Sequence, residues 1–185
     1  MARLVRGDRS HIDGAAQVWA EATAFRDGDP DVAPLEDSRP IIAGVAGRPR
    51  SVLIVALDDQ GQVMAFAVAA PVLEGTDDLA STAAVESGGG RPGGWGPGRA
   101  RGVLELLCAE LAADGFTRAQ LLVYVSNQRA VGVYERLGWQ AEGSPRPHRQ
   151  TGKPEQRYRR TLGVEAGRHD FPGDNSAAQA SRRAH

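Results

Sequence analysis

The stretch Val125-Ser126-Asn127-Gln128-Arg129-Ala130-Val131-Gly132-Val133-Tyr134-Glu135-Arg136-Leu137-Gly138-Trp139 decides the fold. Directly before it, residues 119–125 form an apolar run that predicts a buried strand. Ser126 or Asn127 then supplies an N-cap for a helix running to about Leu137. Gly138 closes that helix, and Trp139 opens a further strand over 139–142. A buried strand, a capped helix, a glycine stop and a new strand are the rhythm of a sheet with helices packed on its faces.

Working upstream, residues 99–113 predict a helix with an apolar stripe of Val103, Leu104, Leu106, Leu107, Leu111 and Ala112, ended by Gly115. Farther back, the apolar run Val52–Leu57, the turn at Asp58–Gly61 and the segment Gln62–Ala70 predict a hairpin. Residues 3–6 predict an opening strand. A helix from His11 to Ala24 follows, with Asp8 or Ser10 as its cap. Gly28, Pro30, Pro34 and Pro40 predict a loop over 26–40 with at most a helical turn. Residues 72–82 and 86–98 read as loops, with Thr82–Val85 a short strand between them. Downstream, residues 156–162 predict the last strand. Residues 163–185, without periodicity or bulky apolar content, predict a disordered tail. The chain thus predicts one α/β (α+β) domain over 1–162. Its centre is a mixed, mostly antiparallel sheet of six to seven strands with about four helices on its faces.

Composition narrows the function. A net charge of −1 argues against a dedicated nucleic-acid binder. Cys108 is the only cysteine, which rules out an internal disulfide and fits a reducing, cytoplasmic setting. No run approaches the roughly 18 apolar residues of a membrane span, and the N-terminus has no signal-peptide pattern. The four histidines and Cys108 show no metal-ligand spacing, so no metal is expected.

Trp95-Gly96-Pro97-Gly98-Arg99-Ala100 runs straight into the 99–113 helix. A glycine-rich turn opening a helix presents unpaired N–H groups at the positive end of the helix dipole, which suits a phosphate or pyrophosphate. A plain flexible loop is the other reading of the same residues.

The Asn127–Trp139 segment closely resembles the Asn-x-x-Ala-x-x-x-Tyr-x-x-x-Gly-Phe signature of the GCN5-related N-acetyltransferase (GNAT) family, with Trp139 in place of Phe. Gly98 and Ala100 match the last two fixed positions of that family's Arg/Gln-x-x-Gly-x-Gly/Ala loop, while Trp95 and Pro97 depart from it. The resemblance implies an acyl-CoA N-acyltransferase fold and acetyl-CoA as cosubstrate. It implies that N–H groups of Gly96, Gly98, Arg99, Ala100 and Arg101 cradle the pyrophosphate. Asn127 would hydrogen-bond the pantetheine arm, Ala130 would leave it room, and Tyr134 would protonate the departing thiolate. N–H groups near Ala84 and Val85 would polarise the thioester carbonyl. Glu86 is the candidate base for the amine; a solvated loop carboxylate is the other reading.

The expected reaction is acetyl transfer to the primary amine of a small molecule, by direct attack. A non-catalytic acyl-CoA-binding module and a protein N-terminal or lysine acetyltransferase are the alternatives. Homodimers are common among such proteins. No nucleic-acid or membrane partner is expected.

Overall fold

A computed structural model describes residues 3–72, 81–93 and 97–163; the tail beyond 163, Trp95 and Gly96 lie outside them. Among the described residues, seven strands form one sheet in the order β1-β2-β3-β4-β5-β7-β6. The strands are β1 Arg3–Arg6, β2 Val52–Leu57, β3 Val63–Pro71, β4 Thr82–Gly90, β5 Arg118–Tyr124, β6 Gln140–Pro147 and β7 Pro154–Thr161. The helices are α1 Ile12–Asp27, α2 Leu35–Ala46, α3 Pro97–Ala113 and α4 Gln128–Arg136. Every neighbouring pair is antiparallel except β4 and β5, which the α3 crossover joins in parallel. The mixed, mostly antiparallel sheet is as expected.

Alternation along the strands builds a core on each face. Val52, Ile54, Ala56, Ala65, Ala67 and Ala69 point to the α3–α4 side, where they meet Leu107, Leu111 and Phe116. Leu53, Val55, Phe66 and Val68 point to the α1–α2 side and meet Val18, Ile42 and Val45. The hydrophobic run of β2 is buried at all of its positions because helices cover it on both faces.

Three expectations need correction. The loop predicted over 26–40 ends early, because α2 begins at Leu35 and contains Pro40. Proline there forfeits the bond to the Glu36 carbonyl. Both residues are on the exposed side of α2, while Ile42 and Val45 bury the opposite face. The strand predicted as Thr82–Val85 continues to Gly90, so residues 86–90 are strand and not loop. Glycine suits this strand because α1 crosses close over it. A Cβ at Gly89 would stand 3.0 Å from the Ala22 Cβ, and one at Gly88 3.4 Å from the Phe66 carbonyl oxygen. Finally, β6 extends to Pro147 rather than stopping near Glu142, which confines the β6–β7 connection to 148–153.

Both helices of the α3–α4 layer end in the same device. Gly115 takes φ 86°, Phe116 N–H donates to Leu111 O at 3.0 Å and Gly115 N–H to Ala112 O at 3.0 Å. Gly138 takes φ 79°, Trp139 N–H donates to Tyr134 O at 3.1 Å and Gly138 N–H to Glu135 O at 3.0 Å. These are Schellman motifs, in which the residue after the glycine folds back onto the helix residue five earlier.

Candidate active site

The parallel ladder between β4 and β5 is short. It pairs Thr82 with Arg118 through Val85 with Leu121, and there it stops. Beyond that point β4 pairs only with β3, and β5 only with β7. The two strands part into a V bounded by 86–90 on one side and 122–124 on the other. A bulge starts the divergence. Ala69 faces Val85 and Val68 faces Ser87, so Glu86 is an extra residue in the β4 ladder.

Each strand bordering the V feeds a helix at its open end. β4 leads through 91–96 into α3, and β5 leads through 125–127 into α4. Arg91 anchors the first link, its N–H bonding Met64 O at 3.0 Å and its Nε bonding Val63 O at 3.2 Å. Both helices pack on the same face of the sheet, so the glycine-rich helix start and the Asn127–Tyr134 helix share one end and one side of the molecule.

At the start of α3 the first-turn N–H groups of Gly98, Arg99 and Ala100 precede the helical ladder, and Pro97 has none to offer. A Cβ at Gly98 would meet nothing within 4 Å, so its backbone is open to close approach. Ala100 is buried toward the core. The Arg101 guanidinium pairs with Glu105 at 2.9 Å. Gly96, the remaining candidate of this group, is outside the described residues.

Asn127 caps α4: its Oδ1 accepts from the Ala130 N–H at 3.3 Å. Two turns on, Tyr134 packs against the larger core together with Ala130, Val131 and Leu137. Its ring lies 6.0 Å from Trp139 and 6.5 Å from Tyr158, centroid to centroid. The Trp139 contact is the hydrophobic clasp of the Schellman motif. The spacing Tyr-x-x-x-Gly-aromatic therefore has a mechanical meaning, since the aromatic after the glycine holds the tyrosine. That signal was in the sequence.

Burial pushes the Tyr134 phenol up to about 12. A tyrosine in an unfolded chain ionises near 10. The stability linked to this group is therefore intact below pH 10 and is lost as pH rises from 10 toward 12, by up to about 3 kcal/mol. Thermal melts should show a decline above pH 10 that is shallower in Tyr134→Phe. Parallel profiles for the two proteins would contradict a buried phenol.

On the opposite face, the Glu86 carboxylate is clasped by Arg48, which follows α2. One guanidinium nitrogen, Nη1, reaches Oε1, and Nη2 reaches Oε2 at 2.9 Å. Sequence reasoning did not find Arg48, because nothing local links residues 38 positions apart. Val85, the last residue paired to β5, packs against the α3–α4 core. Cys108 is buried and its thiol is raised by that burial, so it stays protonated and inert. No group of three or more metal-ligating side chains occurs among the described residues. No described helix is long and apolar enough to cross a membrane.

The profile of the Acetyltransferase (GNAT) family matches residues 15–139, which takes in most of α1, strands β2 to β5, both helix starts and the tyrosine helix. The chain belongs to the GNAT acetyltransferase family. It is an acyltransferase, and the V between β4 and β5 lies at the centre of its fold. GNAT structures superpose over most of its length. A phosphinothricin acetyltransferase from Sinorhizobium meliloti, in complex with AcCoA, is 16% identical with a TM-score of 0.69, covering 88% of this chain and 89% of that one. The ribosomal-protein-S18-alanine N-acetyltransferase from Escherichia coli is 19% identical with a TM-score of 0.68, covering 92% of this chain and 100% of that one. A GCN5-related N-acetyltransferase from Kribbella flavida is 21% identical with a TM-score of 0.66, covering 87% and 98%. At these identities the likeness speaks for the fold. No curated protein matches the chain in sequence.

Proposed function

We propose that this acetyltransferase transfers the acetyl group of acetyl-CoA to the primary amine of a small molecule, by direct attack at the V between β4 and β5. The observation that carries the reading is the parting of the two strands beyond Val85 and Leu121, with two helix starts converging on the open end.

The residues present fit acetyl-CoA. First-turn N–H groups at Gly98, Arg99 and Ala100, flanked by Gly96 and Arg101, suit a diphosphate at the positive end of α3. Asn127 and Ala130 border the mouth from α4, and the edge of β4 that β5 leaves just beyond Val85 offers N–H groups to a carbonyl. The cosubstrate supplies an activated acyl carbon on a thiol leaving group.

The transfer forms an N–C bond and breaks a C–S bond. The ammonium of the acceptor loses two protons overall, and one proton must reach sulfur. Glu86, displaced from the ladder by the bulge, draws the first proton, directly or through water. Arg48 fixes its carboxylate in orientation. Tyr134 Oη holds the proton for the sulfur. With its pKa at about 12, transfer to an ordinary thiolate near 8.5 would be uphill by about 5 kcal/mol. Desolvation also raises a thiol held in the same cleft, which narrows that gap. The tyrosine thus acts late, when the sulfur carries most charge.

Titration with acetyl-CoA by calorimetry, followed by a thiol-release assay over a panel of small amines, tests the reading. Binding with turnover of at least one amine is expected. Binding with no turnover of any amine would leave the chain a cofactor-binding module, and turnover of peptide amines alone would make it a protein acetyltransferase.

A further inference from the structure

On the α1–α2 side the helices stop short. They cover β3 and β4, and over β5 the end of α1 reaches Tyr124, where the Arg26 guanidinium lies 5.2 Å from the ring centroid, while Leu122 beside it is 55% exposed. Sheet register places a row of side chains there. Leu122 pairs with Arg157, and Arg157 with Glu142. Glu86 lies one residue beyond Val85, the partner of Leu121, so it stands on the other side of Leu122. Read across the sheet, the row runs carboxylate, aliphatic, guanidinium. Glu86 lies just past the last β4–β5 pair, so it and Arg157 are somewhat more than two strand spacings apart, a spacing pair being roughly 10 Å between backbones.

Charge on this platform is unbalanced. Glu142 serves two guanidiniums at once, Arg159 at 2.7 Å and Arg157 at 3.8 Å. Register puts Glu155 on the same face, but also Arg118 and Arg146, so four guanidiniums share it with two carboxylates and positive charge is left over. Beside them, Arg159 Nε is a buried N–H without a hydrogen-bond partner, and the Oε1 of Gln120, its partner across the ladder, is likewise unsatisfied. A guanidinium without a full counter-charge binds an oxyanion well.

Building on the acetyl-transfer reading, we propose that the acceptor is an amine that also carries an acid group, a carboxylate or a comparable oxyanion. Its ammonium sits at Glu86, its carbon chain lies on Leu122, and its acid group takes Arg157 and the outer nitrogens of Arg159. Arg157 and Arg159 are specificity-determining residues.

The test compares 5-aminovalerate with n-pentylamine, which has the same chain and no acid. For each, thiol release is measured, and binding to the enzyme saturated with CoA is measured by calorimetry. The amino acid should bind and react at least about tenfold better, through KM rather than kcat. In Arg157→Gln, an exposed site, that preference should collapse, and Arg159→Gln should do the same. Equal use of the two amines, a preference for pentylamine, or a preference that survives both variants overturns the platform and leaves acetyl transfer standing. Acid-dependent binding without turnover supports the platform and counts against the transfer reading. Absence of both binding and turnover overturns the platform.

Discussion

Tyr134→Phe should lower kcat about a hundredfold while leaving the affinity for acetyl-CoA unchanged. The substitution is unusually clean because of what surrounds the ring. Trp139 and Tyr158 hold it through its carbon faces, at centroid distances of 6.0 and 6.5 Å. The C-terminal clasp of α4 uses the Tyr134 carbonyl rather than its side chain. Phenylalanine preserves all of this and removes only the hydroxyl. That hydroxyl's pKa is raised by burial alone, with no hydrogen bond contributing, so its loss leaves no partner stranded. A fall in rate would therefore report the missing proton and little else. Calorimetry for cofactor affinity and single-turnover thiol release for the chemical step separate the two effects. A variant that turns over at the parental rate would sink the assignment of Tyr134 as proton donor.

The clearest sequence signals were those in which one residue's conformation forces its neighbours. Gly115 and Gly138 each stop a helix in the left-handed region, and the aromatic after each folds back onto the helix. Such devices are local, so the α3 and α4 ends and the strands around them could be read within a few residues. The hairpin of β2 and β3 was legible for the same reason, its turn at Asp58–Gly61 being held by bonds within four residues.

Failures came where a distant element decides. The segment Ser87–Gly90 has almost no strand propensity of its own. It is a strand because β3 pairs with it and because α1, some 65 residues earlier in the chain, lies too close for a side chain (Ala22 against Gly89). Helix α2 survives Pro40 because Ile42 and Val45 bury against the sheet, a gain invisible in local composition. The candidate site divides along the same line. The Asn127–Tyr134 helix is contiguous in sequence and was found there. The bulge at Glu86 and its Arg48 partner are products of register and packing, and only the folded chain brings them together.

Phe116→Ala should destabilise the domain by about 3–5 kcal/mol, a large part of the 5–15 kcal/mol typical of a folded domain. Phe116 is 2% exposed and occupies the larger core with Leu111, Leu107 and Ala119. Three losses coincide at this side chain. Truncation empties a volume that strands on one side and α3 on the other cannot both relax to fill. It also deletes the apolar half of the Schellman clasp that pins the end of α3 to the start of β5. Finally, it removes the face on which the Arg50 guanidinium lies, 4.1 Å from the ring centroid. Arg50 holds a left-handed φ of 58° and donates to the Asp114 carbonyl at 3.0 Å, so contacts at the end of α3 help hold the strained turn before β2. Phe116→Leu, which keeps most of the volume, should lose roughly a third as much. Urea unfolding followed by circular dichroism gives both values. Near-equal midpoints for Phe116→Ala and the parent would mean that α3 is held by something other than its packed C-terminal end. In that case the positioning of its N-terminal turn beside the V would have to be explained from the β4 side alone.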